Sequence, residues 1–266
     1  MARNQEDPTP RDGDGNYSFY KMYGVNRTVR RRKGGASRDK IKNDPQFEET
    51  RRINAEFGGR SRSASFIMHT IMPLKALADK NIAGPLNALL KPVQEMDKTS
   101  KLGQRSIELS HWPAVLAGYS LNRLVHFDGI VRNHLEWTLD KANRKASIHI
   151  PQLTTGINFH PSPYYPLCSL MVTFGVVPDL YSQPVGRYTA SAEQYEEMGT
   201  QLVLGDWFPC TEGAPPFTFT LEYPLDMPDS HHSMVLAIGI RYGRLQYNQQ
   251  VDQVPRAGAA KILAVR

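Results

Sequence analysis

Cysteine is scarce in this chain of 266 residues, which contains only Cys168 and Cys210. The two residues share no motif spacing, and a CxxC pair is absent. Cys168 lies in the apolar run PLCSLMVTF, which predicts a buried thiol that behaves as a small hydrophobic side chain. A disulfide between the two cysteines is the less favoured alternative, because the sequence has no secretion signal.

Long apolar runs are also missing. No stretch of about 18 apolar residues exists, so the sequence predicts no membrane-spanning helix. The first residues, MARNQEDPTPRDGDG, are polar and lack the apolar centre of a signal peptide. The default expectation is therefore a cytoplasmic protein.

Motifs that would carry a reaction are lacking as well. The sequence contains no Walker loop, no GxGxxG and no HExxH. Two histidine pairs, His149 with His160 or His126 with His134, could ligate a metal only if the fold joined them. The adjacent histidines at 231–232 lie in a Pro-Asp-Ser turn and are expected to be exposed. We therefore predict no enzyme, no cofactor and no metal site.

Positive charge, in contrast, is abundant in one place. The stretch 27–62 holds twelve basic and five acidic residues, a net charge of +7, whereas the whole chain carries +6. The basicity is thus local and indicates an anionic partner, either an acidic protein surface or nucleic acid. The candidate residues for this contact are Arg27, Arg30, Arg31, Arg32, Lys33, Arg51 and Arg52.

Within this stretch the sequence predicts a short amphipathic helix. Asp44-Pro45 is typical of a helix start, and Gly58-Gly59 is typical of a helix stop. Phe47, Ile53 and Phe57 fall on one side of such a helix. We expect these three side chains to dock on another surface.

Upstream, alternating aromatic and polar residues predict two short β segments on either side of Tyr23-Gly24. Phe19, Tyr20 and Tyr23 are the expected anchors of this hairpin. An isolated hairpin is marginal in water, so it needs a partner sheet in its own chain or in a neighbour.

The rest of the chain changes from helical to strand periodicity. Residues 64–104 carry a helical core stripe, and period-two patterns with Pro-rich turns follow from 105. The expected fold is mainly β with an α-helical N-terminal part: a β-sandwich or jelly-roll-like domain plus a basic N-terminal arm of hairpin and short helices. The predicted domains are 1–63, 64–104 and 105–266.

Four stretches carry a resemblance to a known family. They are FYKMYG with VRRRKGG, SRDKIKNDPQFEETRRINAEFGGRSRSAS, LGQRSIEL, and VLAIGIRYGRLQYNQQ with AAKILAVR. In these stretches, above all in the DPxFxxTRxxxxEFG segment, the chain resembles a family of bacterial proteins common in Bacteroidota. No activity is assigned to that family, so the resemblance implies no role for any residue. It implies that the arm and the β domain belong to one unit.

Three functional hypotheses follow. The first is a structural, self-assembling protein whose arm docks on neighbouring subunits to form a ring, tube, filament or shell. The second is a nucleic-acid-binding or capsid-like protein that uses the arginine-rich arm. The third is a carbohydrate-binding or enzymatic β-sandwich, for which the aromatic loops PYYP (163–166) and GDWFP (205–209) are the candidate contacts.

Overall fold

The computed structural model describes residues 14–21, 28–79, 81–184, 186–247 and 249–266. The strands, in chain order, are β1 (Tyr17–Lys21), β2 (Thr28–Arg32), β3 (Glu136–Asp140), β4 (Lys145–Ile150), β5 (Leu153–Thr154), β6 (Leu167–Pro178), β7 (Leu180–Ser182), β8 (Tyr188–Ala190), β9 (Thr200–Leu204), β10 (Phe208–Pro209), β11 (Gly213–Ala214), β12 (Phe217–Glu222), β13 (His232–Leu245) and β14 (Val251–Val265). The α-helices are α1 (Arg38–Asn43), α2 (Glu48–Thr70), α3 (Ala83–Glu95) and α4 (Phe127–Ile130). Short 3-10 helices cover Asp14–Asn16, Pro45–Phe47, Met72–Leu77, Leu109–His111, Pro113–Val115 and Glu193–Glu196.

The chain is mainly β, with an N-terminal helical region and several antiparallel sheets in a sandwich-like arrangement, which confirms the predicted fold class. The described chain divides into two compact units, Met1–Arg51 and Arg52–Arg266. We call them the arm unit and the body unit. The three predicted domains, with boundaries at 63/64 and 104/105, stay a prediction.

A five-stranded antiparallel sheet forms the centre of the body unit. Its order is β10-β6-β13-β14, and β9 also pairs with β6. Strand β6 is buried along almost its whole length, because both faces of this sheet are covered. Leu170, Val172 and Phe174 enter one apolar core, whereas Met171 and Val177 enter another. The period-two alternation of the strand thus supplies two cores at once.

The first core lies between this sheet and the three-stranded sheet β12-β4-β3. Ala146, Ile148 and Ile150 of β4 are buried, and the residues between them are more exposed. This alternation is what antiparallel sheets with one covered face require. It is also the pattern from which the β3–β4 hairpin is predicted, and the hairpin is present with Glu136 opposite His149.

The second core lies on the opposite face of the five-stranded sheet, under helices α2 and α3 and the 3-10 turn Met72–Leu77. Leu74 and Leu77 of this turn are buried against the sheet. Their approach requires Gly239 of β13, because a Cβ there would lie 2.7 Å from Leu77 Cδ1 and 2.9 Å from Leu74 Cδ2. The helical segment after residue 64 therefore packs directly on the sandwich.

The predicted helix stop at Gly58-Gly59 is wrong, because α2 continues to Thr70. A glycine that ends a helix adopts a positive φ, and neither of these two does. Gly59 instead permits a close contact: a Cβ there would lie 2.7 Å from the ring of Tyr188. The glycine thus serves packing between elements and leaves the helix intact.

Candidate functional site

The arm unit begins with the antiparallel pair β1–β2. Tyr17 lies opposite Arg32, and Phe19 lies opposite Arg30, so aromatic and basic side chains share one face. The guanidinium carbon of Arg30 is 3.7 Å from the ring centroid of Tyr17, a cation–π contact. Tyr20 is on the other face and 43 % exposed. The predicted anchor Tyr23 and the predicted contact residue Arg27 lie outside the described residues.

Burial separates the arm unit from an ordinary domain. Among its described residues 15–21 and 28–51, none is buried. Phe19 and Phe47 are half-buried, whereas Arg31, Arg32 and Lys33 are exposed. This part of the chain therefore has aromatic side chains and a basic surface but no apolar core.

The second half of the arm unit is held together by polar contacts. Ser37 caps α1 by accepting a hydrogen bond from the Lys40 amide at 3.2 Å. Asp44 accepts one from the Gln46 amide at 2.9 Å and caps the 3-10 turn Pro45–Phe47, whereas the α-helix predicted to start there begins at Glu48. One Arg51 nitrogen donates to the carbonyl oxygens of Ile41 and Asp44, each at 2.8 Å. The predicted anion contact Arg51 therefore also closes the turn between α1 and α2.

In the body unit, α2 exposes part of its apolar side. Ile53 is 49 % exposed and Phe57 is 55 % exposed, and the two are separated by one helical turn. The guanidinium carbon of Arg60 lies 5.9 Å from the centroid of the Phe57 ring. Arg52 on the same helix is also exposed. The two predicted helix anchors of this unit thus form an apolar surface next to basic side chains.

The buried side of α2 carries Glu56, one of the five acidic residues counted in the stretch 27–62, in a charged pair with Arg105. Glu56 is 4 % exposed and accepts two hydrogen bonds from the guanidinium of Arg105, at 2.7 and 2.8 Å. It also accepts the amide of Gly103 at 2.9 Å. The hydrogen bond to Glu56 raises the pKa of Arg105. This pair fixes the helix to the following loop and leaves no charge for a partner.

A second buried contact extends this network. Arg60 donates to Gln94 Oε1 at 2.6 Å, and Gln94 donates to the hydroxyl of Tyr188 at 3.2 Å. Burial raises the pKa of Tyr188 to about 12. The sequence signal was available, because Glu56, Arg60, Ser63 and Ile67 recur at helical spacing along one side of α2.

A cleft of about 610 Å³ lies at the end of α3 in the body unit. Its walls include Asp97, Ser106, Glu108 and Trp112. Burial alone raises the pKa of Asp97, but hydrogen bonds from the amides of Ser106 and Ser100 hold that pKa well below its usual value. The Asp97 carboxylate is therefore used by its own loop. Glu108 in the same cleft accepts the Ser106 hydroxyl at 3.1 Å and lies 2.9 Å from His111 Nδ1.

A buried polar cluster lies near the start of β13. The Lys141 ammonium donates to the carbonyl oxygens of Ser230 and His232, at 3.2 and 2.6 Å. His232 is only 3 % exposed, so its predicted exposure is wrong, and burial lowers its pKa to about 4. Ser110 donates to Asp179, a carboxyl with no exposed surface, whose pKa is raised by burial. These hydrogen bonds tether loops, and His232 and Asp179 are buried.

The two predicted aromatic loops come together at one end of β13. The ring of Tyr165 stacks on that of Tyr242 at a centroid distance of 4.9 Å. The guanidinium of Arg241 lies 4.4 Å from the ring of Trp207. The adjoining cleft of about 480 Å³ is mostly apolar, and its Tyr242 hydroxyl is already bonded to the amide of Ser162.

Metal-ligand clusters and membrane-spanning helices are absent from the described part of the chain. No group of three or more His, Cys, Asp or Glu side chains there could hold a metal ion. No helix there is long and apolar enough to cross a membrane. Comparisons with known protein families, curated proteins and solved structures give no significant match. The family resemblance drawn from the DPxFxxTRxxxxEFG segment therefore stays a prediction.

Proposed function

We propose that the chain is a structural protein that assembles with copies of itself, and that its arm unit docks on a neighbouring subunit. The observation that carries the proposal is that no described residue of the arm unit is buried. Ordering each backbone residue costs about 1–2 kcal/mol, and burial of apolar surface is the main term that offsets this cost. A second surface would supply the missing burial.

The open edges of the β1–β2 pair support strand addition as the mode of docking. Among the described strands, β1 pairs only with β2, so each has one edge without a strand partner. Such edges readily accept a further strand, whose main-chain hydrogen bonds provide affinity. Phe19 and Tyr20 would anchor the opposite faces of the pair.

The exposed side of α2 supports a second contact. Ile53 and Phe57 form an apolar pair at helical spacing, which is the pattern of helices that bind in a groove. The exposed Arg31, Arg32 and Lys33 would select an acidic surface on the neighbour. An arm that reaches a different patch on the next copy generates a ring if the rotation closes and a filament if it does not.

The test measures particle mass by size-exclusion chromatography with multi-angle light scattering. We expect the full chain to form a multiple of its 30.0 kDa mass. Phe19→Ser with Tyr20→Ser should lower that multiple. A matched control, Tyr164→Ser with Tyr247→Ser, removes two tyrosines that are 81 % and 111 % exposed on the body unit and should leave the mass unchanged. Equal masses for the arm variant and the unaltered chain would refute the proposal.

The helix contact needs its own variant. Ile53→Ser with Phe57→Ser changes two exposed residues, so the fold should persist and the assembly should weaken. Removal of residues 1–47 keeps α2 complete and should have at least the same effect on the particle mass.

The second candidate function is nucleic-acid binding by the arm. It is favoured by the run of four basic residues at 30–33 beside the aromatic ring of Tyr17. The ratio of absorbance at 260 and 280 nm separates the two functions, when read before and after nuclease and high salt. Particles that carry nucleic acid and lose mass on nuclease treatment would favour this alternative over self-assembly.

A further inference from the structure

Strand β3 is an open edge of the three-stranded sheet in the body unit, because among the described strands it pairs only with β4. The amide of Tyr223 donates to the carbonyl oxygen of Arg144 at 2.9 Å, so the next residue, Lys145 of β4, turns its backbone groups toward β3. Alternation along the hairpin then points the backbone groups of Trp137 and Leu139 away from β4. No hydrogen bond joins these two backbones to another described residue. They are open to a further strand.

The side chains of β3 place carboxylates beside this edge. Glu136 and Asp140 are exposed on the solvent face, on either side of Thr138. Hydrogen bonds from the side chain and the amide of Asn143 lower the pKa of Asp140, so this carboxylate is ionised at neutral pH. The edge therefore carries two negative charges within five residues.

The other open edges of the body unit suit a basic strand less well. Strand β9 has no acidic residue, and the carboxylate of Glu222 on β12 lies 3.3 Å from the ammonium of Lys145. Strand β14 is covered near Ile262, whose carbonyl oxygen accepts the Gly118 amide at 2.9 Å, and it contains Pro255, which has no N–H to donate. Of these edges, β3 is the one that offers both backbone groups and two carboxylates.

Strand β2 of the arm unit has the complementary features. The Lys33 amide donates to the carbonyl oxygen of Asn16, which sets the alternation of the β1–β2 pair. The backbone groups of Arg32 therefore point away from β1, toward the outer edge. Arg31 and Lys33 project from the face opposite to that of Arg32, and all three residues are exposed. The Lys33 ammonium donates to the carbonyl oxygen of Gly15 at 3.0 Å, a neutral group, so its positive charge persists.

We propose that β2 of one copy adds to the open edge of β3 of a second copy as an antiparallel strand, an inference that rests on the self-assembly proposed above. The sheet β12-β4-β3 then continues through β2 and β1 of the neighbour and becomes five-stranded. In the register that pairs Arg32 with Trp137, the outward backbone groups of the two residues exchange hydrogen bonds.

The same register brings the opposite charges together. Lys33 lies opposite Glu136, and Arg31 lies opposite Thr138, diagonally next to both carboxylates of β3. A shift by one residue would put the basic side chains on the other face of the sheet, away from Glu136 and Asp140. The charges therefore specify the register, and the backbone hydrogen bonds provide the affinity.

The first test is a disulfide between two copies. In this register residues 31 and 138 are a non-hydrogen-bonded pair, whose Cα atoms lie about 4.5 Å apart, within the range that a disulfide spans. Full-length chains with Arg31→Cys and, separately, Thr138→Cys are co-expressed, one of them tagged, and oxidised with a small-molecule disulfide. We expect a link between tagged and untagged chains that peptide mapping assigns to 31 and 138. Thr220→Cys, an exposed position on the same face but on β12, is the matched control and should give about tenfold less of the link to residue 31.

The second test exchanges the charges of one pair. Glu136→Lys should raise the dissociation constant of the assembly about tenfold, and the further change Lys33→Glu should restore it. Glu193→Lys makes the same charge change at an exposed position outside β3 and should leave the constant unchanged. Light scattering over a dilution series compares these three variants with the unaltered chain.

Particle mass separates failure of this pairing from failure of the self-assembly. A multimeric cysteine sample without the 31–138 link, or a multimeric unaltered chain without the charge rescue, overturns the pairing and leaves the self-assembly standing. Links only between two 31 residues or between two 138 residues also overturn the pairing, because they place like strands together. An unaltered chain that stays at 30.0 kDa at all concentrations overturns both.

Discussion

The arm unit and the body unit of this chain use their hydrophobic residues in opposite ways. In the body unit, the central strands β6 and β13 are covered on both faces, and their side chains supply two apolar cores. In the arm unit, no described residue is buried, and its local structure depends on caps, turn hydrogen bonds and one strand pair. The comparison teaches that regular secondary structure does not by itself provide a core.

The largest expected difference in unfolding free energy is between the same substitution, Phe to Ala, made in each of the two units. Phe174→Ala removes a fully buried ring from β6 and should lower the free energy of unfolding by about 3–5 kcal/mol. Phe19→Ala, in the arm unit, should change it by less than about 1 kcal/mol. Urea unfolding followed by tryptophan fluorescence is suitable, because all three tryptophans lie in the body unit. Similar losses of unfolding free energy for the two variants would contradict this difference between the units.

A slightly smaller effect is expected within a single helix, α2. Glu56→Gln leaves the guanidinium of Arg105 without its carboxylate, and that side chain is only 21 % exposed. Loss of one partner of a buried ion pair should cost about 3 kcal/mol. Glu49→Gln, at an exposed position of the arm unit, should cost less than about 0.5 kcal/mol. Urea midpoints of both variants at pH 7 measure the difference, and equal midpoints would contradict it.

The neighbouring glycines of α2 offer a sharper pair, because they should change stability in opposite directions. Gly59→Ala places a Cβ 2.7 Å from the Tyr188 ring and should destabilise the protein by about 1–3 kcal/mol. Gly58→Ala meets nothing within 4 Å and should stabilise it by about 0.5–1 kcal/mol, the gain in helix propensity. Thermal unfolding of both variants decides the point. Two shifts of the same sign would mean that Tyr188 does not restrict this position.

A pH-dependent effect also belongs to the body unit, because residues 1–51 contain no histidine. Burial lowers the pKa of His232 from 6.5 to about 4. Between these values the unfolded chain binds the proton and the folded chain does not. The contribution of neutral His232 to stability is therefore complete above pH 6.5. As the pH falls from 6.5 to 4, the free energy of unfolding decreases by up to about 1.4 kcal/mol per pH unit.

The measurement compares the unfolding free energies of the unaltered chain and His232→Asn at pH 7 and pH 5. The comparison with the variant is needed because burial raises the pKa of Asp179, which has the opposite pH dependence. The difference in unfolding free energy between the unaltered chain and His232→Asn should be smaller at pH 5 than at pH 7. A constant gap would show that His232 does not titrate differently in the folded chain.

Several elements were predictable because their signals are local. The alternation from Lys145 to Ile150 predicted an amphipathic strand, and the start at Asp44 was predicted from a capping side chain and a proline. Both signals act over a few residues and require no knowledge of neighbours in space. The exposure of Ile53 and Phe57 also agrees with their placement on one side of a helix.

Other features depended on residues that are distant in sequence. Gly59 was interpreted as a helix end because the contact with Tyr188 lies 129 positions away. Glu56 was counted only in the net charge of the stretch 27–62, although Arg105 binds it inside the body unit. His232 was expected in an exposed turn, yet β13 begins there and buries it. In each case a contact between residues distant in sequence overrode the local sequence signal.

By itself, the amino-acid sequence determined the mainly β class, the position of the basic arm and the hairpin of β3 and β4, because periodicity and charge are properties of the local chain. Only the tertiary structure decided that helices cover one face of the central sheet and that Glu56 and Arg60 are internal. The physical reason is that burial and pairing are set by which surfaces meet, and residues far apart in sequence supply those surfaces.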